Sequence, residues 1–142
     1  MKIVLEVLAQ FKNTAPNIKV SSNVDNCEFN LENKTNTIEC NLNLQSSDTI
    51  SIEFLNKDDN EDNVVNLKKM IVDDIDMQHF IYDGEFFPTY NTNWYNEQTI
   101  KPPKSYKPGT EMRHNGKWIL NVQLPIWKMM MDNWINDDRQ TS

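Results

Sequence analysis

An antiparallel β-sandwich of jelly-roll type with one short C-terminal helix is the fold this sequence predicts, on three observations. Apolar and polar residues alternate along several short segments, as they do on strands with one buried and one wetted face. Turn residues punctuate those segments at short spacing. The last apolar stretch changes to recurrence at three and four residues, which is the period of a helix face.

Taken in order, Lys2–Lys12 reads as a first long strand with Ile3, Leu5 and Val7 on one face. Thr14 and Pro16 mark a turn, and Ile18–Val20 a short strand. Cys27, Phe29 and Leu31 share a face opposite Glu28, Asn30 and Glu32; Ile38, Cys40, Leu42 and Leu44 repeat the pattern against Glu39, Asn41 and Asn43. Strands of a parallel sheet are apolar on both faces, so this alternation predicts an antiparallel one.

Thr49–Met77 shows the plan most plainly. Ile50, Ile52 and Phe54 alternate with Thr49, Ser51 and Glu53, an acidic turn follows, and Lys68–Met77 resumes as a second apolar strand. In that strand Met70 and Val72 point one way while Ile71, Ile75 and Met77 point the other, which predicts a bulge or burial on both faces. Phe80–Tyr82 continues in extended form, and Asp83-Gly84 closes it as a turn.

Residues 85–110 have no sustained periodicity, but they hold Pro88, Pro102, Pro103 and Pro108 and six aromatics, Phe86, Phe87, Tyr90, Trp94, Tyr95 and Tyr106. A loop of that length in a compact domain is usually functional or held by a partner. Asn115-Gly116 predicts a type I′ hairpin with Arg113–His114 and Lys117–Trp118 as arms. Trp118, Leu120, Val122 and Leu124 extend the second arm as a long strand. Pro125 then opens a helix over 125–136, with Trp127, Met130, Met131 and Trp134 as its apolar stripe. That stripe is expected to pack on an open end of the sandwich, with a neighbouring subunit as the alternative claimant.

Length and charge narrow the function. The chain of 142 residues is expected to form a single domain spanning 1–142. Its 14 Lys and Arg against 21 Asp and Glu give a net charge of −7 and a pI near 4.7. Such a surface opposes a phosphate backbone and an anionic membrane, so neither nucleic acid nor membrane is an expected partner. In MKIVLEVLAQFK, Glu6 interrupts the apolar run and no small-residue cleavage site follows, so no export signal is read and synthesis in the cytoplasm is expected. If Cys27–Leu31 and Ile38–Leu44 pair as a hairpin, Cys27 and Cys40 are diagonal neighbours, somewhat far apart for a strain-free bridge. Two buried thiols are then expected, unless the register shifts.

Few constellations could carry chemistry. Asp58, Asn60 and Asp62 have the alternate spacing of calcium-loop oxygens, but Asn63 stands where an EF-hand has glycine and Lys69 where it has glutamate. A solvated loop that blunts an edge with charge is the expected role, and a looser calcium site the alternative. Asp74 and Asp76 share a strand face that Asp73 does not, so a carboxylate pair stands as the alternative to simple solvation. There is no G-x-S-x-G motif, no metal-ligand spacing around His79 and His114 and no glycine-rich phosphate cradle, so no enzyme is expected. Trp94 and Tyr95, flanked by Asn91, Asn93, Asn96 and Glu97, have the composition of a sugar platform. A protein interface or a loop folded on its own aromatics are the alternatives.

Ile50-Ser51-Ile52-Glu53-Phe54-Leu55-Asn56-Lys57-Asp58, then Val64-Val65 and the strand ending Val72-Asp73-Asp74-Ile75-Asp76, resembles the strand-loop-strand signature of carbohydrate-binding-module-like sandwiches. Asn115-Gly116-Lys117-Trp118, continuing to Leu124-Pro125-Ile126, resembles the ending of small virion proteins from marine tailed phages. The resemblance implies a jelly-roll domain used as a capsid decoration, neck or fibre component, sometimes with glycan affinity. It implies virion proteins or further copies of the chain as partners and the virion as location. No ligand residue is carried over by it. The expected function is therefore a non-enzymatic structural protein of a phage particle, with contacts through Phe86, Phe87, Tyr90, Trp94, Tyr95, Tyr106, Trp127 and Trp134. A carbohydrate-binding module recognising a surface glycan is the alternative.

Overall fold

The computed structural model describes residues 1–56, 62–107 and 110–132. In chain order its strands are β1 (Lys2–Gln10), β2 (Asn17–Ser21), β3 (Asn26–Asn30), β4 (Thr35–Asn41) and β5 (Ser47–Leu55). There follow β6 (Val64–Val72), β7 (Ile75–Asp76), a 3-10 helix (Gln78–Asp83), β8 (Glu85–Pro88), helix α1 (Thr92–Glu97), β9 (Glu111–Met112) and β10 (Gly116–Gln123). Residues 126–132 are helical. All strand pairs are antiparallel, in two sheets. One runs β4-β1-β6-β7 with β9 also on β6; the other runs β3-β2-β5-β10-β8.

The alternation in the sequence explains the layering. Ile3, Leu5, Val7 and Ala9 of β1 and Met70 and Val72 of β6 face Ile18 and Val20 of β2, Ile50, Ile52 and Phe54 of β5 and Trp118 of β10 in one core. The irregular alternation of β6 is a bulge. Glu6 pairs with Lys69 but Val7 with Leu67, so Lys68 is the extra residue and the inward set changes phase from Val65 and Leu67 to Met70 and Val72.

Four expectations are corrected. Lys68–Met77 is not one strand: Val72 pairs with Ile75 across a two-residue turn, with Asp73 and Asp74 at φ 51° and 67°. Positive φ at both centres is the type I′ requirement, which aspartate tolerates. Asp73 and Asp74 are thus turn residues, and Asp76, across from Ile71, has its carboxylate 3.6 Å from the Lys69 ammonium. Phe80–Tyr82 belongs to the 3-10 helix.

Asn115-Gly116 makes no hairpin, because β9 joins β6 in one sheet and β10 joins β5 and β8 in the other. Gly116 has a different task. A Cβ there would lie 2.7 Å from Pro88 Cα and closer still to the Phe87 carbonyl oxygen, so only glycine lets β10 approach β8. Gly84 is constrained likewise, since its Cβ would overlap the fully buried Trp118 indole. Gly84→Ala is expected to cost about 1–3 kcal/mol by overpacking, measured by denaturant unfolding; an unchanged midpoint would show that the indole has room to shift.

Cys27 and Cys40 are joined as a disulfide, not held as two thiols. They do not share a hairpin: β3 pairs with β2 and β4 with β1, so the bridge links the edge strands of the two sheets. The Cα atoms are 6.5 Å apart, inside the usual disulfide range. Buried Asn36 shapes the crossover between those edges, donating to the carbonyls of Glu32 (3.0 Å) and Lys34 (2.9 Å) and accepting from the Glu32 N–H (2.9 Å).

At one end of the sandwich, buried Asp48 gathers two loops. Its carboxylate accepts from the backbone N–H groups of Asn23 (2.9 Å), Gln45 (2.7 Å) and Thr49 (2.7 Å). Burial pushes its carboxyl up, but these three donors outweigh burial and hold it below the ordinary carboxylate value.

Candidate functional site

The aromatic stretch expected as one loop over 85–110 contains β8 and α1, and Tyr106 bridges to Phe86 at the edge of β8. These contacts divide its aromatics. Phe86 is fully buried and belongs to the core, with the half-buried Tyr106 ring against it at 5.4 Å. Phe87, on the opposite face of β8, points outward. Tyr90, Trp94 and Tyr95 come together where the loop returns to the turn between β9 and β10.

Local chemistry fixes that meeting. The Thr89 N–H donates to the Asn115 carbonyl at 2.6 Å, pinning the loop to the start of β10. The Asn91 side chain caps α1 by accepting from the Trp94 N–H at 3.0 Å. At the other end the Lys101 ammonium donates to the carbonyls of Tyr95 (2.9 Å) and Asn96 (3.3 Å), where a cation suits the helix C-terminus. It also lies 4.9 Å from the Tyr95 ring centre, in cation–π range.

Tyr90 is the centre of the cluster. Its ring stacks with Trp94 (5.5 Å, 30°) and Tyr95 (5.8 Å, 26°), and His114 meets it edge-on at 4.9 Å. His114 also packs on Trp94 at 5.3 Å. The Tyr90 hydroxyl donates to the Pro103 carbonyl at 2.6 Å, so it serves the loop and not a ligand. Burial, then the neighbouring Tyr95, pushes the Tyr90 phenol up; burial pushes that of Tyr106 up to about 12. Both phenols are neutral at physiological pH. Trp94 remains 39% exposed, an indole braced from behind by two rings.

His114 and Lys101 were not legible as members of this site. Lys101 joins it from six residues along the same loop, and His114 because the fold returns to the loop at the β9–β10 turn, a contact between residues 90 and 114 that no local pattern carries. Among the other expected contact residues, Trp127 is 56% exposed beside a depression lined by Met1, Asp73, Ile75 and Leu124. Trp134 lies outside the described residues. So do Asp58 and Asn60 of the calcium candidate, while Asp62 lies 3.4 Å from Arg113, whose Nε also donates to Glu111 at 2.6 Å. Among the described residues no group of three His, Cys, Asp or Glu side chains is placed to hold a metal.

No protein-family model matches this chain, and no curated protein matches it. Among solved structures it is similar to one described as "vCBM60 in complex with galactobiose", with a TM-score of 0.62 at 13% sequence identity, over 86% of this chain and 100% of that one. The likeness is one of fold: this chain has a carbohydrate-binding-module-like antiparallel sandwich.

Proposed function

We propose that this chain is a non-catalytic carbohydrate-binding domain that recognises a surface glycan through Trp94. The observation that carries the reading is the exposed indole braced against Tyr90 and His114. A rigid, half-exposed aromatic plane gives the C–H face of a pyranose an apolar partner at little entropic cost. Exposed Asn93, Asn96 and Glu97 on α1 supply amide and carboxylate groups for hydroxyls. The fold likeness supports this reading, since that neighbour was solved with a disaccharide.

Trp94→Ala is expected to lower affinity for the recognised glycan by about thirty-fold, the effect of removing one anchoring aromatic. A glycan array followed by calorimetry on the best sugar measures it. Absence of binding by the wild type across a broad array would falsify the reading.

A second reading, a structural component of a tailed-phage particle made in the host cytoplasm, has its own support. Trp127 and Met131 stand exposed on the helical residues 126–132, and aromatic and methionine side chains are enriched where protein subunits meet. Mass spectrometry of purified particles and the solution mass of the chain test it. A monomer absent from particles would remove it.

A further inference from the structure

A second concavity lies on the outer face of the β8–β10 sheet. There Phe87 of β8 stands directly across from Lys117 of β10, and Glu85 across from Ile119. The bridge between Phe86 and Tyr106 continues this face one segment further and brings up Lys107. Asp83, Glu85, Phe87, Lys107, Ile119 and Asn121 line a cavity of about 290 Å³.

The Phe86-Phe87 pair sends one ring each way. Phe86 is fully buried and Phe87 40% exposed, so the outward ring adds little to the core. Beside it, Ile119 completes an apolar floor. Around the floor stand two carboxylates, an ammonium and an amide. None of these four side chains has a hydrogen bond or ion pair with another described residue. Carboxylates accept only, an ammonium donates only, and an amide does both, which together meet hydroxyls in either role. An apolar floor with a few convergent polar groups is the general make-up of a small-ligand site, and the volume lies just under the usual range of about 300–1,000 Å³, which suits a single sugar unit. Asp83 and Glu85 balance Lys107 and the neighbouring Lys117, so this face, on a chain of net charge −7, offers an anionic sugar no net positive charge.

We propose that this cavity is a second glycan subsite, taking one uncharged hexose unit with its ring face on Phe87 and its hydroxyls on Asp83, Glu85, Lys107 and Asn121. The proposal rests on the glycan-binding reading above. Phe87 and Tyr90 are three residues apart, so their Cα atoms are within about 11 Å, a span that a short oligosaccharide covers. Trp94 and Phe87 would then hold two units of one chain.

The test is a titration followed by amide NMR, with galactobiose, cellobiose and mannobiose and the tetrasaccharides of the same sugars as probes. The wild type, Trp94→Ala, Phe87→Ala and Asn121→Ala are compared; the last two change exposed side chains only. Expected are shifts at the amides of Glu85, Phe87, Ile119 and Asn121, persisting in Trp94→Ala. In Phe87→Ala and Asn121→Ala those shifts are lost, and tetrasaccharide affinity falls about tenfold. Binding that shifts only amides near Trp94, unchanged in Phe87→Ala and Asn121→Ala, overturns this proposal and leaves the Trp94 reading standing. Shifts confined to the Phe87 face overturn the Trp94 platform and keep this subsite. No shift with any probe overturns the subsite, and the wider glycan array then decides the Trp94 reading separately.

Discussion

Replacing Cys27 with serine and Cys40 with alanine together is expected to lower the unfolding free energy by about 3 kcal/mol, the chain-entropy value for a loop of this length. The two residues are 13 apart in sequence. In a chain of this size that is a fall in Tm of about 10 °C. The bridge ties β3, which among the described residues otherwise pairs only with β2, to β4, which among them otherwise pairs only with β1. Without it, each edge strand can fray from its own sheet independently. Thermal unfolding with and without a thiol reductant measures the effect. Reductant is expected to lower the wild-type Tm to that of the double variant and leave the variant unchanged. Equal melting of wild type and variant under oxidising conditions would show that the native edges are held by packing alone.

The second large effect is expected at Asp48. Asp48→Ala leaves the N–H groups of Asn23, Gln45 and Thr49 without their acceptor. A buried donor left unpaired costs about 1–3 kcal/mol, and water entering at the sandwich end relieves part of it, so a total loss of about 2–4 kcal/mol is expected. The pH dependence has a defined sign. The folded carboxyl lies below its unfolded value near 3.8. Its stabilisation is therefore fully present above that value and is lost as pH falls through the lower, folded one. Asp48→Asn should lose stability at neutral pH too, since its amide N–H₂ would face a backbone donor, and its gap from wild type should close in acid. Denaturant midpoints across that range measure both; a gap independent of pH would assign the effect to packing.

Most strands were legible because their signal is local. Ile3, Leu5 and Val7, or Trp118, Leu120 and Val122, declare an inward face within one segment. The sheet to which a strand belongs is not a local property, and the corrections gather there. Cys27 and Cys40 read as hairpin neighbours, yet their strands lie in opposite sheets, which turned an awkward diagonal into a feasible bridge. Asn115-Gly116 carries the composition of a turn, but its glycine serves a close approach between β8 and β10. The true two-residue turn uses Asp73-Asp74, where the carboxylates suggested chemistry and masked backbone geometry. The candidate site was half legible. Tyr90, Trp94 and Tyr95 stood out by composition, whereas Phe86 looked like their equal until the pleat of β8 sent it into the core. His114 became part of the site only through long-range closure.

The position of β10 has a consequence for the order of events during synthesis. Residues 116–123 are among the last strand residues of the described chain, yet β10 sits inside its sheet, between β5 and β8. A growing chain can pair β2 with β3 early, but β5 waits with an open edge until Gly116–Gln123 has emerged. β1 likewise waits for β6. Pairings this distant slow folding, because the chain entropy of closing the loop is lost before any contact forms. During that wait Ile50, Ile52 and Phe54 lie on a strand with one edge open, the kind of template on which nascent chains associate.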